Sequence, residues 1–279
     1  MSTALLMLSL SVAIMAPIAT YVFLDLGTTG KDPKVDEITE FAMVAVNRQH
    51  LLETSDSRSK KLRVQNKLIR CFKVDKKMTY NAKSNGRGGF KNEDLQHECY
   101  FDKCCFLMID NFLNTLKKPV CLIAHNGGNF DFPILKRYFT KLGVKFSDAN
   151  LMYADTLLAF SDIIENTTVY EEAGTSSGND LNENPPKKQC IARVGRVRVH
   201  AKNRKYPNTR SKQGNTEESY KLTNIYKRLL KKSPRTAHQG EADCNLMLKI
   251  AEHLGRRFVN WINDEKYNIC RFPDDVRDP

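Results

Sequence analysis

Apolar runs with the character of buried β-strands alternate with helical patterns along most of this chain, and this alternation limits its fold more than any other feature. The strand-like runs are residues 21–26, 38–46, 64–74, 120–124 and 151–154. Helical spacing of apolar residues begins near Phe101, Phe132, Thr156, Tyr220 and Glu241. Strands that alternate with helices predict an α/β fold with a central sheet flanked by helices.

Residues 20–279 are long enough to form a single domain with one large core, and they contain no internal repeat. Residues 165–218 differ from the rest because they are rich first in Gly, Ser, Asn and Pro, and then in Lys and Arg. We interpret this stretch as a basic polar insertion. It is either a solvated loop or a loop that binds nucleic acid, and the sequence leaves both interpretations open.

The N-terminal extension, residues 1–19, contains a long apolar run that ends in small residues. A typical secretory signal has a Lys or Arg before its apolar run, and none is present here. The run is also short for a membrane span. We favour Met15 as an alternative start, which predicts a protein of the cytoplasm or nucleus with no membrane partner. If the extension is instead a signal peptide, the chain is secreted or enters the endoplasmic reticulum.

The composition favours nucleic acid as a partner and argues against two kinds of scaffold. The formal net charge of +12 attracts polyanions. The eight cysteines form no C-x-x-C pair and no regular framework, which argues against a zinc ribbon and against a disulfide-stapled fold. Several cysteines lie in apolar patterns, so we expect them to be reduced core residues.

Three aspartates and one histidine occur where the predicted elements change. Asp25 ends the first strand, Asp131 opens a helix, and His238 precedes Asp243 by five residues at the start of the last helix. Carboxylates from separate elements can hold divalent ions at a scissile phosphate, and Mg²⁺ prefers such oxygen ligands. A histidine can accept a proton from water near neutral pH. The set therefore predicts hydrolysis of phosphodiesters.

Each of these residues also has an ordinary structural interpretation. Asp25 can be a turn residue, Asp131 can be the N-cap of its helix, and His238 can be a surface side chain. A single match of this kind favours the structural interpretation, whereas the four residues together and in order favour the metal site.

Four segments, in order, resemble the motifs of the three prime repair exonucleases, a family of the DnaQ-like superfamily. They are Phe23-Leu24-Asp25-Leu26-Gly27-Thr28-Thr29-Gly30, Ala124-His125-Asn126-Gly127 with Phe130-Asp131-Phe132-Pro133, Ser219-Tyr220-x-Leu222-x-x-Ile225-Tyr226, and His238-x4-Asp243. Weaker similarity extends from about Thr20 to near the C-terminus. The resemblance implies an RNase H-like mixed sheet flanked by helices and a homodimer. It also implies removal of nucleotides from DNA 3′ ends, single-stranded or in a frayed duplex.

The resemblance assigns catalytic roles by position. It implies that Asp25, Asp131 and Asp243 bind two Mg²⁺ ions, with Mn²⁺ as an alternative, and that His238 activates water. The residues expected to bind the substrate or to shape its site are Leu26, Thr28, His125 and Asn126. Of these, the first two are expected to contact the terminal nucleotide, and the other two to form the turn that aims Asp131.

Two positions depart from the family pattern. The first motif is Asp-x-Glu in the family, and here Gly27 replaces the glutamate. The loss of that charge is expected to lower the rate on the order of 10²-fold or more. Asp36 and Glu40 are near in sequence, but the sequence alone brings neither to the site. The second departure is Arg87, a cation where the family has an apolar residue against the terminal base.

Two functions therefore compete. The first is a metal-dependent 3′ to 5′ DNA exonuclease whose activity Gly27 reduces. The alternative is a catalytically inactive protein that binds nucleic-acid ends, and a basic scaffold with a decayed site is a third interpretation. The preference for single-stranded DNA, double-stranded DNA or RNA stays open.

Overall fold

The protein forms a mixed sheet of six strands in the part of the chain that the computed structural model describes. The described residues are 16–56, 60–75, 90–174, 219–234, 239–263 and 270–279. The strands are β1 Thr20–Thr28, β2 Ile38–Asn47, β3 Val64–Cys71, β4 Val120–Ala124, β5 Met152–Asp155 and β6 Cys270–Arg271. Their order in the sheet is β3-β2-β1-β4-β5-β6. Strand β1 pairs antiparallel with β2 and parallel with β4, so it lies at the centre of the sheet.

Helices cover both faces of this sheet. They are α1 Arg48–Asp56, α2 Asn92–Leu95, α3 Lys103–Asn114, α4 Asp131–Leu142, α5 Thr156–Gly174, α6 Leu222–Leu230, α7 Gly240–Leu254 and α8 Arg256–Ile262. One core cluster joins the sheet to α1 and to the helices from α5 to α8, and the other joins it to α3 and α4. This arrangement confirms the predicted α/β sheet flanked by helices.

Alternation along β1 decides which side chains point towards which core. Tyr21 and Phe23 pack in the cluster with α7 and α8, whereas Leu24 and Leu26 pack in the cluster with α3 and α4. Successive side chains of a strand point to opposite faces of the sheet. The next position after Phe23 on the first face is Asp25, which therefore faces the side that carries α7.

The prediction that Asp25 ends the first strand was wrong. Strand β1 continues to Thr28, and Asp25 lies within the ladder opposite Ala42 of β2. Gly27 also lies within the strand, where it pairs with Glu40, and the register shifts only between Gly27 and Thr28. Cross-strand pairing thus overrides the local tendency of glycine to interrupt a strand.

Two further boundaries differ from the sequence prediction. The helix predicted near Glu241 is α7, but it is not the last one, because Gly255 turns the chain at a φ of +51° into α8. The third strand ends at Cys71, short of the predicted end at residue 74. Helix α1 was not predicted, and it follows β2 without a break.

Several predictions fall on residues outside the described ranges. These are the extension up to Met15, Arg87, most of the basic insertion, and His238. Their interpretations, and the assignment of residues 20–279 to one domain, stay predictions. No helix in the described ranges is both long enough and apolar enough to cross a membrane. Cys105, Cys121 and Cys244 are buried thiols, as expected for reduced core residues.

Candidate active site

Four carboxylates from four different elements lie near one another beside the end of β1. Asp25 is on β1, Glu40 on β2, Asp131 at the first position of α4, and Asp243 in the first turn of α7. Burial and the charges of Asp131, Asp243 and Glu40 raise the pKa of Asp25 well above its ordinary value of 3.8. The structure thus brings together the three predicted metal ligands and adds a fourth acid.

Asp131 is held against β1 by a buried hydrogen bond. Its Oδ1 accepts the backbone N–H of Leu26 at 3.1 Å, and the residue is 4% exposed. Phe130, not Asp131, is the N-cap residue of α4, so the capping interpretation of Asp131 was wrong. Burial raises the pKa of Asp131, with a further contribution from Asp155 and Asp243. The bond fixes one carboxylate beside the residue that follows Asp25.

The turn that precedes Asp131 is fixed by Asp155, a residue that sequence analysis missed. Asp155 Oδ1 accepts the N–H of Asn126 at 2.8 Å, and Oδ2 accepts that of Gly128 at 3.0 Å. Asn126 has a φ of 61°, in the left-handed region that asparagine tolerates better than most residues. Asp155 is the last residue of β5, directly after the apolar run of residues 151–154, and a carboxylate at the end of an apolar run is the sequence signal that could have identified it.

Gly127 is needed in this turn because the chain passes close to the core. A Cβ at this position would lie 2.5 Å from the Cβ of Ala124 and 2.8 Å from the ring of Phe132. The turn therefore accepts no larger residue without moving β4 or α4. The predicted role of His125 and Asn126 in aiming Asp131 agrees with this geometry and remains a prediction for function.

His125 joins two other segments of the chain through hydrogen bonds. Its Nε2 lies 3.0 Å from the carbonyl oxygen of Tyr220, and its Nδ1 lies 3.0 Å from the hydroxyl of Thr156. Since a carbonyl only accepts, Nε2 carries the proton. Burial lowers the pKa of His125 to about 4, so the ring is neutral near neutral pH. With both nitrogens engaged, His125 ties β4 to the segment before α6 and is poorly placed to act as a base.

The two residues expected to contact the terminal nucleotide flank Gly27. The side chain of Leu26 is 6% exposed and belongs to the core cluster beneath α4. The hydroxyl of Thr28 donates to the carbonyl of Gly30 at 2.7 Å. Both residues are at the carboxyl end of β1, near Asp25, and their contact with a nucleotide stays a prediction.

Of the two nearby acids that the sequence could not place, one reaches the site. Glu40 is 9% exposed, and its charge raises the pKa of Asp25. Asp36 instead accepts hydrogen bonds from the hydroxyl of Thr29 and the N–H of Asp32, and so stabilises the loop after β1. The position of Glu40 depends on the register of β1 with β2, which the sequence pattern does not reveal.

The donor set fits a hard divalent cation. Carboxylate oxygens are the ligands that Mg²⁺ and similar ions prefer, and the pKa of Asp25 is raised first by its burial and then by the negative charges around it. Among the described residues, no group of three or more His, Cys, Asp or Glu side chains is arranged so that it could hold a metal ion. The charges of the carboxylates nevertheless interact with one another, and a cation between them would relieve their repulsion.

Comparisons with known proteins find exonucleases among the proteins similar to this chain. No family model matches the chain. The chain is 29% identical to three prime repair exonuclease 2 of Mus musculus over 251 residues, which is 88% of each protein. It is 24% identical to three-prime repair exonuclease 1 of Homo sapiens, over 88% of this chain and 67% of that protein. Over most of its length, this chain is therefore similar in sequence to the three prime repair exonucleases.

Solved structures support the fold assigned to this chain. The zinc-bound complex of E. coli exonuclease I with single-stranded DNA superimposes with a TM-score of 0.52 at 13% identity. That match covers 86% of this chain but only 41% of exonuclease I, so this chain spans less than half the length of that structure. Cell-death related nuclease 4 matches with a TM-score of 0.51 at 12% identity, over 85% of this chain and 64% of that one. These neighbours confirm the predicted RNase H-like, DnaQ-like exonuclease fold.

In metal-free buffer, Asp25→Asn is expected to raise the free energy of unfolding of this chain. The pKa of Asp25 in the folded chain is raised above its ordinary value of 3.8, so the folded state binds more protons than the unfolded state between those two values. Ionisation of Asp25 therefore destabilises the folded chain increasingly as the pH rises above about 4. The stability advantage of asparagine should grow as the pH is raised from that value.

Urea unfolding of the parent and the variant at several pH values measures this difference. Asp110→Asn is the matched control, because Asp110 bonds Ser147 away from the carboxylate group and should show no such growth with pH. An Asp25→Asn protein that is less stable than the parent at about pH 8 would contradict the proposed repulsion.

Proposed function

We propose that this chain is a metal-dependent 3′ to 5′ exonuclease that removes nucleotides from DNA 3′ ends. The observation that carries the proposal is the meeting of Asp25, Asp131 and Asp243, from three separate elements, at the end of the central strand. Homology to the three prime repair exonucleases over 88% of the chain supports the same activity. Gly27 is expected to make the activity lower than that of a chain with glutamate at this position.

A divalent metal ion is the cofactor of the proposed reaction, and we propose a pair of Mg²⁺ ions, with Mn²⁺ as an alternative. Asp25, Asp131 and Asp243 would hold the ions, which would neutralise the scissile phosphate and lower the pKa of a bound water. The bond from the N–H of Leu26 keeps Asp131 in place, since it fixes one carboxylate oxygen and leaves the other for a ligand. Three oxygen-bearing side chains suit Mg²⁺ better than a soft metal.

His238 is the proposed general base. In the sequence it precedes the first residue of α7 by two positions and Asp243 by five. His125, the other histidine of the motifs, has both ring nitrogens engaged and a pKa lowered to about 4. The proton of the attacking water therefore has a better acceptor in His238.

The proposed substrate is a DNA 3′ end, single-stranded or frayed from a duplex. E. coli exonuclease I, which shares the fold, was solved in complex with single-stranded DNA. Leu26 and Thr28 are proposed to contact the terminal nucleotide because they flank the carboxylates on β1. The net charge of +12 favours attraction of the phosphate backbone, and the compartment that we propose is the cytoplasm or nucleus.

A 5′-labelled single-stranded oligonucleotide should be shortened from its 3′ end in the presence of MgCl₂. EDTA should stop the reaction, and a circular single strand of the same sequence should survive because it has no end. Asp243→Asn should lower the rate on the order of 100-fold or more, because the variant removes charge that stabilises the transition state. Denaturing gels measure the rate at which the parent and Asp243→Asn shorten the labelled strand.

Glu53→Gln is the matched control for this assay, because Glu53 is at the surface of α1 with Gln49 and Lys60 as partners. Its rate should equal that of the parent. Tight binding of free 3′ ends without shortening would favour the inactive end-binding protein. Equal binding of linear and circular DNA, again without cleavage, would favour the basic scaffold.

We also propose that the chain forms a homodimer. Strand β3 is the outer strand at one end of the described sheet, and most of its side chains are at least partly exposed. An edge strand of this kind can pair with the same strand of a second copy. Light scattering after size exclusion should give about twice the monomer mass of 31.9 kDa.

Ile69→Lys is expected to shift the mass towards the monomer, because Ile69 lies on β3 and is 37% exposed. The matched control is Val35→Lys, in the loop after β1, where the side chain is 57% exposed and away from the sheet edge. A parent chain that elutes as a monomer at all concentrations tested would rule the dimer out.

A further inference from the structure

We propose that Glu40, on β2, supplies the carboxylate that Gly27 on β1 does not, and that it binds the same divalent ion as Asp25. This inference rests on the proposed function, because it completes the metal site of that function. It identifies a ligand from a different strand and explains how the chain can keep a fourth acid without the Asp-x-Glu pattern.

The register of the sheet places Glu40 directly beside Gly27. Glu40 pairs with Gly27 across the β1–β2 ladder, and Ala42 pairs with Asp25. Ala42 and Val44 pack on the face that carries α7, so Glu40, two residues before Ala42, points to that same face. Asp25 points there as well. A side chain on Gly27 and the side chain of Glu40 would therefore enter the same space.

The room above Gly27 is already filled by Glu40. A Cβ built on Gly27 would lie 2.9 Å from the Cβ of Glu40 and 3.1 Å from the hydroxyl of Thr39. Directly opposed residues of antiparallel strands normally keep their Cβ atoms about 4.5–5.5 Å apart. Glycine at position 27 and glutamate at position 40 are thus compatible with each other, whereas a glutamate at both positions would be crowded.

The carboxylate of Glu40 is aimed between β1 and the start of α7. Its Oε2 accepts the N–H of Gly240, the first residue of α7, at 2.9 Å. Gly240 leaves space for this approach, because a Cβ there would lie 3.1 Å from Cδ of Glu40 and 2.9 Å from Ala42. None of the described residues donates a hydrogen bond to Oε1 of Glu40, so that oxygen remains available to a cation.

Glu40 also lies close enough to Asp25 for their charges to interact. Because both carboxylates face the side of the sheet that carries α7, a cation bound by Asp25 would also attract the carboxylate of Glu40.

A purely structural role for Glu40 makes a different prediction. In that case the residue serves only to accept the N–H at the start of α7, as an N-terminal cap does. Glu40→Gln separates the two roles, because the amide oxygen of glutamine can still accept the bond from Gly240 but carries no charge. Glu53→Gln makes the same chemical change at an exposed position outside the site.

The test is calorimetric titration of MnCl₂ into the full chain, with no DNA present, alongside melting of the metal-free proteins. Glu40→Gln is expected to weaken Mn²⁺ binding about 10-fold or more while the metal-free melting temperature stays the same or rises. Glu53→Gln should leave the affinity unchanged. Parent-like Mn²⁺ affinity in Glu40→Gln, or a lower metal-free melting temperature without a change in affinity, would overturn the inference and leave Glu40 as a structural cap.

An exchange of the two residues gives a second, independent measurement. Gly27→Glu combined with Glu40→Gly returns the acid to β1 and removes the Cβ that would crowd it. This double variant should bind Mn²⁺ more tightly than Glu40→Gly alone, and equal affinities would contradict a shared ion.

The two proposals fail in different ways. If the parent shortens DNA and Asp25→Asn abolishes both shortening and Mn²⁺ binding, while Glu40→Gln changes neither, only the role of Glu40 is wrong. If the parent neither binds Mn²⁺ nor shortens DNA, both the exonuclease assignment and the role of Glu40 are wrong.

Discussion

The repulsion between carboxylates gathered at the end of β1 is the constraint on which the rest of this structure depends. Charges in a partly dehydrated site interact more strongly than charges in water, and no described lysine or arginine forms a salt bridge with Asp25 or Asp131. The packing of helices on both faces of the sheet offsets the unfavourable free energy of this repulsion. A divalent cation offsets the same repulsion, which couples stability to the proposed chemistry.

Backbone groups rather than cations hold the acids in position. Leu26 donates to Asp131, Gly240 donates to Glu40, and the turn at Asn126 donates to Asp155. A backbone donor orients a carboxylate but leaves its full negative charge for a ligand, whereas a lysine or arginine would neutralise it. The central strand, the start of α4 and the start of α7 are thereby tied together, so the carboxylates are fixed to the core.

The first five strands could be predicted from the sequence because their signals are local, whereas the two-residue strand β6 was missed. A short apolar run indicated β1, and the order of the motifs singled out Asp131 and Asp243, whose metal-binding roles stay predictions. The position of Asp25 inside its strand was missed because Gly27 reads as an interruption, whereas pairing with β2 extends β1 past it. Glu40 could not be placed for the same reason, since a cross-strand neighbour depends on the register between two strands and not on spacing along one.

The most direct test of the shared metal site is to locate the ion itself. Crystals of the parent soaked in MnCl₂, with diffraction recorded at the manganese absorption edge, give its position independently of any assay. We expect an anomalous peak with carboxylate oxygens of Asp25, Asp131 and Asp243 within about 2.6 Å. A peak that lies only elsewhere on the chain, or no peak at saturating MnCl₂, would contradict a common ion at the end of β1.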